Sequence, residues 1–348
     1  MIDLFGTLPS EWEAIVREWG EPPYRADQIF KHTARFTPPE GMTNLPKALR
    51  ERLSREGVLR MPTVEKKLVS AIDGTVKYLF RLYDGECVEG VLMRYRHGTS
   101  LCISSQVGCR MGCAFCASTL GGRVRDLYAS ELLGQVMAAT LDSGERIDGI
   151  VMMGIGEPLD NYENVLRFLR LVNHKDGLNI GYRHISLSTC GVCDGIYRLA
   201  EENLPITLSV SLHASTDEQR SALMPINRRY PIGELMQACY AYFQKTGRRI
   251  SFEYSLVSGQ NDSEEDARRL AALLRSTVGR DGAPIHVNLI RVNKVEETGL
   301  VGPSAKAAAH FADILNSRGV VATVRRRLGS DVNAACGQLR RGQNRGEG

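Results

Sequence analysis

The sequence predicts an α/β protein, either a barrel-like (βα)6 array or an open doubly wound sheet, preceded by a small helical module and a β-meander. Three observations point there. From about Ser100 onward, six short β-branched runs alternate with helical patterns, which calls for parallel strands joined by crossover helices. Before them, three β-rich runs are separated by Asp73-Gly74 and Asp84-Gly85, dipeptides that favour hairpin turns. Earlier still, apolar residues recur at helical spacing in segments broken by glycine and proline.

Length and composition agree with that layout. A chain of 348 residues exceeds one average domain and allows one large domain plus an appendage. With 43% hydrophobic and 24% charged residues it is neither disordered, collagenous nor a coiled coil. No apolar run approaches the ~20 residues that span a bilayer. The start, MIDLFGTLPSEWEAIVREW, places acids where a signal peptide needs a cationic stretch. The expectation is a cytoplasmic chain with no membrane partner. Nine cysteines, an odd number, fit a secreted disulfide framework poorly and point to metal binding or chemistry. The net charge is +4, yet from Arg318 to the end seven arginines face two acids, which leaves the rest of the chain near neutrality. Such a tail reads as a phosphate-facing strip or as a solvated terminus.

In chain order, LPSEWEAIVREW, YRADQIFKHTARF and LPKALRERLSREG read as helices of a module over residues 1–60, interrupted by Gly20, Pro22-Pro23 and Pro38-Pro39. TVEKKLVSA, TVKYLFRLY and ECVEGVLMRY form a meander linking that module to the rest over residues 61–95. Over residues 96–330 the strand and helix pairs are TSLCISS with ASELLGQVMAAT, DGIVMMG with YENVLRFLRLV, HISLST with GIYRLAEEN, ITLSVSLH with PIGELMQACYAYF, RISFEYSLV with SEEDARRLAALL, and IHVNLIRV with SAKAAAHFADIL. Ser263 with Asp266 three residues on marks one helix start, and Pro303-Ser304 marks another whose helix stops at Gly319. Residues 331–348 form a C-terminal segment. In a barrel or a doubly wound sheet alike, active groups belong at strand C-termini.

Directly after the first of these strands comes QVGCRMGCAFCAS, with Cys109, Cys113 and Cys116 spaced CxxxCxxC. A structural zinc site and a ferredoxin-type cluster each take four ligands, and no second cysteine pair follows at the spacing they need. Three thiolates on a cubane leave one iron open for a chelating substrate; zinc or plain structural thiols are the alternatives. Gly108 and Gly112 let the backbone curl around such a group.

The motif resembles that of the radical S-adenosylmethionine superfamily, and Phe115 before the last cysteine fits as well. The likeness tightens through SLCISSQVGCRMGCAFCAS, VMMGIGEPLDNYENVL, HISLSTCGV, LSVSLHA, MPIN, FEYSLVSGQND, HVNLIRVN and GSDVNAACGQL, in that order. With GEPPYRADQIF and MTNLPKALR at the start, the chain is similar over nearly its whole length to the RNA adenine-C2 methyltransferases of the RlmN type. The resemblance implies a partial (βα)6 TIM-like radical barrel behind a helical RNA-binding domain. It also implies a 4Fe–4S cluster on Cys109, Cys113 and Cys116, with S-adenosylmethionine held by Gly156, Glu157, Ser188, Ser211, Leu212, His213 and Asn293. Two molecules of the cosubstrate are consumed per turnover.

Further roles follow from the same resemblance. Adenine C2 is electron-poor, so the family first methylates a cysteine and then uses a radical to join that methyl carbon to the base. Matched residue by residue, Cys336 carries the methyl group, Cys102 is the resolving thiol that forms a transient disulfide with it, and Glu89 accepts the C2 proton. The implied partners are 23S rRNA, tRNA and an electron donor such as flavodoxin or ferredoxin, with the enzyme a monomer. Arg325, Arg326, Arg327, Arg340 and Arg341 are available to neutralise phosphates. The rival readings are a Cfr-type adenine-C8 methyltransferase and a non-enzymatic iron–sulfur or zinc RNA-binding protein. Cys87, Cys190, Cys193 and Cys239 read as core thiols, and Arg291 departs from the LIPxN pattern common in the family.

Overall fold

A computed structural model describes residues 1–293 and 299–334. Ten strands form one open sheet: β1 (Thr63–Val69), β2 (Val76–Arg81), β3 (Cys87–Tyr95), β4 (Gly98–Cys102), β5 (Gly149–Met152), β6 (Ile185–Thr189), β7 (Thr207–Ser211), β8 (Ile250–Leu256), β9 (Ile285–Arg291) and β10 (Val321–Val324). They lie side by side in chain order. From β4 to β10 every neighbouring pair is parallel, whereas β1 to β4 are antiparallel.

The meander thus continues the parallel sheet through β4 and does not stand apart as a connector. A further departure from the sequence reading is β10, a short strand after the sixth strand–helix pair that extends the parallel run by one. Its four residues are too few to give a periodic signal.

Burial follows from position. All seven residues of β8 are buried, as expected for a central strand covered on both faces. β1 at the edge is mostly exposed and carries Glu65, Lys66 and Lys67, charges that discourage edge-to-edge pairing.

Helices α1 (Pro9–Glu18), α2 (Tyr24–Thr33) and α3 (Lys47–Glu56) make the N-terminal module, with Trp12, Ile29 and Leu53 fully buried. Their core is continuous with that of the sheet. The module is tied to α4 (Ala129–Ser143) by Ser130 Oγ donating to Asp3 Oδ2 at 2.6 Å, and to α5 (Tyr162–Val172) by Arg167 Nη2 donating to Glu11 Oε1 at 2.7 Å. The remaining helices are α6 (Cys193–Glu202), α7 (Asp217–Leu223), α8 (Ile232–Thr246), α9 (Glu264–Ser276) and α10 (Ala305–Ser317). Ser263 and Ser304 cap α9 and α10 as their sequences predict. The short α7 escaped the sequence reading.

Close packing of α4 on the chain entering β1 depends on Gly134. A Cβ there would stand 2.2 Å from Pro62 Cδ. Gly134→Ala therefore sets a helix-propensity gain of ~1 kcal/mol against an overpacking cost of ~1–3 kcal/mol. The expected outcome is a net loss of stability, seen as a lower urea midpoint than wild type; an unchanged or higher midpoint would show that Pro62 gives way freely.

Candidate active site at the strand C-termini

The loop after β4 forms one wall of the site. Gln106–Gly108 pairs antiparallel with Arg123–Asp126, and this ribbon closes the base of the loop that carries Cys109, Cys113 and Cys116. The Cys109 N–H donates to the Gly122 carbonyl at 3.0 Å. Gly108 has φ +73°, and a Cβ on it would lie 1.8 Å from that carbonyl oxygen, so glycine is required.

The three cysteines line a single cavity together with Gly156, Glu157, Ser188, Ser211, His213 and Asn293. These residues come from the ends of β5, β6, β7 and β9, the edge where ligands bind in such folds. Burial pushes the Cys109 thiol up to about 12, and it raises Cys113 as well, with the neighbouring thiols adding to the effect. Thiols so placed stay neutral until a cation replaces their protons. Three soft thiol donors lining one largely apolar cavity are the donor type an iron–sulfur cluster takes.

Glu157 is 2% exposed. Its Oε1 accepts the Leu159 N–H at 3.0 Å and its Oε2 the Cys190 N–H at 2.7 Å. Burial raises its pKa against these hydrogen bonds. Each oxygen keeps a lone pair, so the carboxylate can also take an ammonium. Gly156, at φ +104°, lies where a Cβ would meet Gln106 at 2.6 Å, and the Gln106 side chain in turn accepts the Glu157 N–H at 2.9 Å.

His213 is buried with φ +57°, a conformation few non-glycine residues adopt. Its Nδ1 accepts the Ser255 N–H at 2.8 Å, which leaves the ring as the Nε2–H tautomer. Burial, and then Arg220, lowers its pKa to about 3, so the ring is neutral. It stands edge-on to Phe115, centroids 4.7 Å apart.

Leu212 does not line the cavity, contrary to the expected cosubstrate contact. Its side chain is in the core, its N–H donates to the Glu253 carbonyl at 3.1 Å, and its carbonyl accepts from Arg220 Nε at 3.3 Å. Conversely, Cys190 lines the cavity although it reads as a core thiol, while Cys87, Cys193 and Cys239 are buried elsewhere.

Glu253 escaped the sequence reading altogether. It is buried on β8, lines the cavity, and accepts from Asn288 Nδ2 at 2.7 Å and Ser251 Oγ at 3.3 Å. The signal was present: Ser251, Glu253 and Ser255 alternate with Phe252, Tyr254 and Leu256 in a strand that is otherwise core.

A second cavity shares Met153, Ile290 and Asn293 with the first. Its walls include Val91, Met93, Cys102, Arg291, Arg325, Arg326, Arg327 and Ala334. Cys102 ends β4, opposite Val91 of β3 and Val151 of β5. Glu89 is two residues from Val91 on the same face of β3, and its Oε1 is 2.8 Å from Lys77 Nζ.

The C-terminal segment is drawn onto this corner. Asp331 accepts from Ser70 Oγ at 2.7 Å and from the Ala71 N–H at 2.9 Å, the Gly329 N–H donates to Asp73 at 3.0 Å, and Lys77 Nζ donates to the Asn333 carbonyl at 3.2 Å. Cys336, Arg340 and Arg341 lie outside the described residues.

Comparison with known proteins agrees with this geometry. Residues 103–271 match the family model of the radical SAM superfamily, and residues 2–59 match that of the ribosomal RNA large subunit methyltransferase N-terminal domain. The chain is 51% identical to a "Probable dual-specificity RNA methyltransferase RlmN" of Clostridium acetobutylicum, covering 94% of this chain and 95% of that one. It is 49% identical to a protein of the same name from Alkaliphilus oremlandii, covering 98% of each. A solved radical SAM methyltransferase from Sphaerobacter thermophilus superposes with a TM-score of 0.89 at 44% identity, over 97% of this chain and 99% of that one.

The neutral His213 makes stability depend on pH. Its folded pKa, about 3, lies below the ordinary histidine value, so between pH 6.5 and 3 the unfolded chain binds a proton that the folded ring refuses. Stability falls as pH drops through that window, by about 2 kcal/mol from this residue between pH 6.5 and 5. Urea midpoints of wild type and His213→Gln at both pH values isolate the contribution. The variant is expected to lose less on acidification; equal losses would mean that the ring is protonated in the fold.

Proposed function

From the premise that this chain belongs to the radical S-adenosylmethionine superfamily and, within it, to the RlmN family of dual-specificity RNA methyltransferases, we infer that it methylates C2 of adenosine in 23S rRNA and in tRNA. Its chemistry draws on an iron–sulfur cluster and S-adenosylmethionine. The observation that carries the finer reading is that the three cysteines and six of the seven expected cosubstrate contacts line one cavity, which shares a wall with the cavity holding Cys102.

In this reading Cys109, Cys113 and Cys116 hold the cluster. Gly156, Glu157, Ser188, Ser211, His213 and Asn293 bind the cosubstrate, with Leu212 setting the backbone between Ser211 and His213. The bound cluster and cosubstrate supply a carbon radical able to take hydrogen from a methyl thioether. The rest falls to the chain's own side chains. Cys336 carries the methyl as a thioether, and Glu89, positioned by Lys77, accepts the C2 proton of the adduct. The Cys102 thiolate then attacks the Cys336 sulfur, so an S–S bond forms as the C–S bond to the new methyl carbon breaks.

Two features support that pairing. Ala334 lines the same cavity as Cys102, and the two residues from Ala334 to Cys336 span at most about 7 Å. One cosubstrate molecule gives the methyl and a second the radical. Residues 1–60 and the arginines after β10 bind RNA, flavodoxin or ferredoxin delivers the electron, and the enzyme works as a cytoplasmic monomer. Among the described residues no helix is long and apolar enough to cross a membrane.

Anaerobic turnover with S-adenosylmethionine and a reductant, on an rRNA fragment and on tRNA separately, followed by mass spectrometry of the nucleosides, is expected to give 2-methyladenosine from both. A C8-methylated product would replace the C2 reading. Cys102→Ala is expected to stall after carbon–carbon bond formation, so a denaturing gel shows protein retarded by covalently attached, RNase-sensitive RNA. Free methylated RNA from that variant would remove Cys102 from the resolving role.

A further inference from the structure

Arg291, Arg326 and Arg327 all line the cavity that holds Cys102, and among the described residues no carboxylate lines it. Arg291 ends β9 and Arg327 follows β10, two strands paired side by side. Arg327 Nη2 donates to the Val292 carbonyl at 3.3 Å, one residue from Arg291, so the two guanidiniums are brought together at one rim. Burial, and then the like charge of Arg291, lowers the Arg327 pKa. None of the three is within ion-pair distance of an acid among the described residues, although most other arginines of the chain are salt-bridged.

The neighbouring Arg325 differs from these three. Its Nη1 contacts the Met153 sulfur at 3.5 Å, and it faces the buried Glu253 carboxylate across the wall between the cavities. It is engaged inside, and the other three remain for a ligand.

Two cations that repel each other, in a cavity that no carboxylate lines among the described residues, leave a stabilising place for an anion. We propose that Arg291 and Arg327 seat one phosphodiester of the RNA backbone beside the target nucleotide, so that the unstacked base projects past them towards Cys102 and Asn293. The proposal rests on the RNA methyltransferase reading above. It also gives a function to Arg291 at the end of β9. A phosphate clamp fixes register, and the cavity beyond it selects the base.

The test uses cluster-loaded enzyme under anaerobic conditions and a short RNA hairpin containing the target adenosine, with fluorescence anisotropy read across a salt series. Arg291→Gln is expected to weaken binding about tenfold and to flatten the slope of log affinity against log salt by about 0.7, the value of one released counterion on a single strand. Arg291→Lys should keep the slope. A methylphosphonate linkage beside the target adenosine should weaken wild type about tenfold and Arg291→Gln no further. Methylphosphonate and substitution acting independently, or an Arg291→Gln slope equal to wild type, would overturn the seat. Competition by millimolar inorganic phosphate as strong in Arg291→Gln as in wild type would likewise place the anion elsewhere. Should wild type itself bind the hairpin with no salt dependence, the RNA reading fails instead, and the two failures are separable.

Discussion

Everything in the site hangs on the register of β4. This strand is the seam of the sheet, antiparallel to β3 on one side and parallel to β5 on the other, with Cys102 opposite Val91 and Val151. A slip of one residue would turn Cys102 to the other face. It would also shift the loop that starts four residues later and carries all three cluster cysteines. The seam is held from above and below. Ser104 Oγ donates to the Glu89 carbonyl at 2.6 Å and accepts the Ile155 N–H at 2.9 Å, so one hydroxyl ties the end of β4 to the strand of Glu89 and to the loop of Glu157. Gln135 of α4 holds the Ser104 backbone at both N–H and carbonyl.

Burial, more than charge, sets the electrostatic character of the first cavity. Glu157, Glu253, His213 and the thiols of Cys109, Cys113 and Cys190 are all shifted towards their neutral forms, with loss of solvation as the leading cause. A site of this kind keeps water from reactive carbon-centred species. It also stays uncharged until a charged ligand arrives to compensate it. The second cavity is the opposite case, lined by four arginines and, among the described residues, by no acid. The dividing wall of Met153, Ile290 and Asn293 is mostly apolar, and Arg325 acts across it on the Glu253 carboxylate.

How much of this was legible depended on chain distance. The cysteine loop, the GEP turn after β5, the meander turns and the caps at Ser263 and Ser304 are local patterns in which a few adjacent residues determine geometry, and each appears where its residues predict it. Glu253 was overlooked because a strand covered on both faces hides a functional face among core residues; only the serines flanking it mark that face. The Leu212 side chain lies in the core while Ser211 and His213 line the cavity, because successive strand-end residues point in opposite directions. The joining of the meander to the parallel sheet is a long-range pairing, and no local pattern announces it.

Residues 329–333 are tethered at the corner of the sheet that also holds the cavity of Cys102. The bonds from Ser70, Ala71, Asp73 and Lys77 to residues 329–333 fasten the end of the chain to the turn between β1 and β2 and to the start of β2. Three of these four are side-chain to backbone bonds and three are half-buried, each contributing on the order of 1 kcal/mol. Together they hold residues 329–333 against the turn between β1 and β2 and the start of β2. Cys102, by contrast, is fixed by pairing on both sides of β4, to β3 and to β5, so any group that reacts with its thiol has to be brought to it.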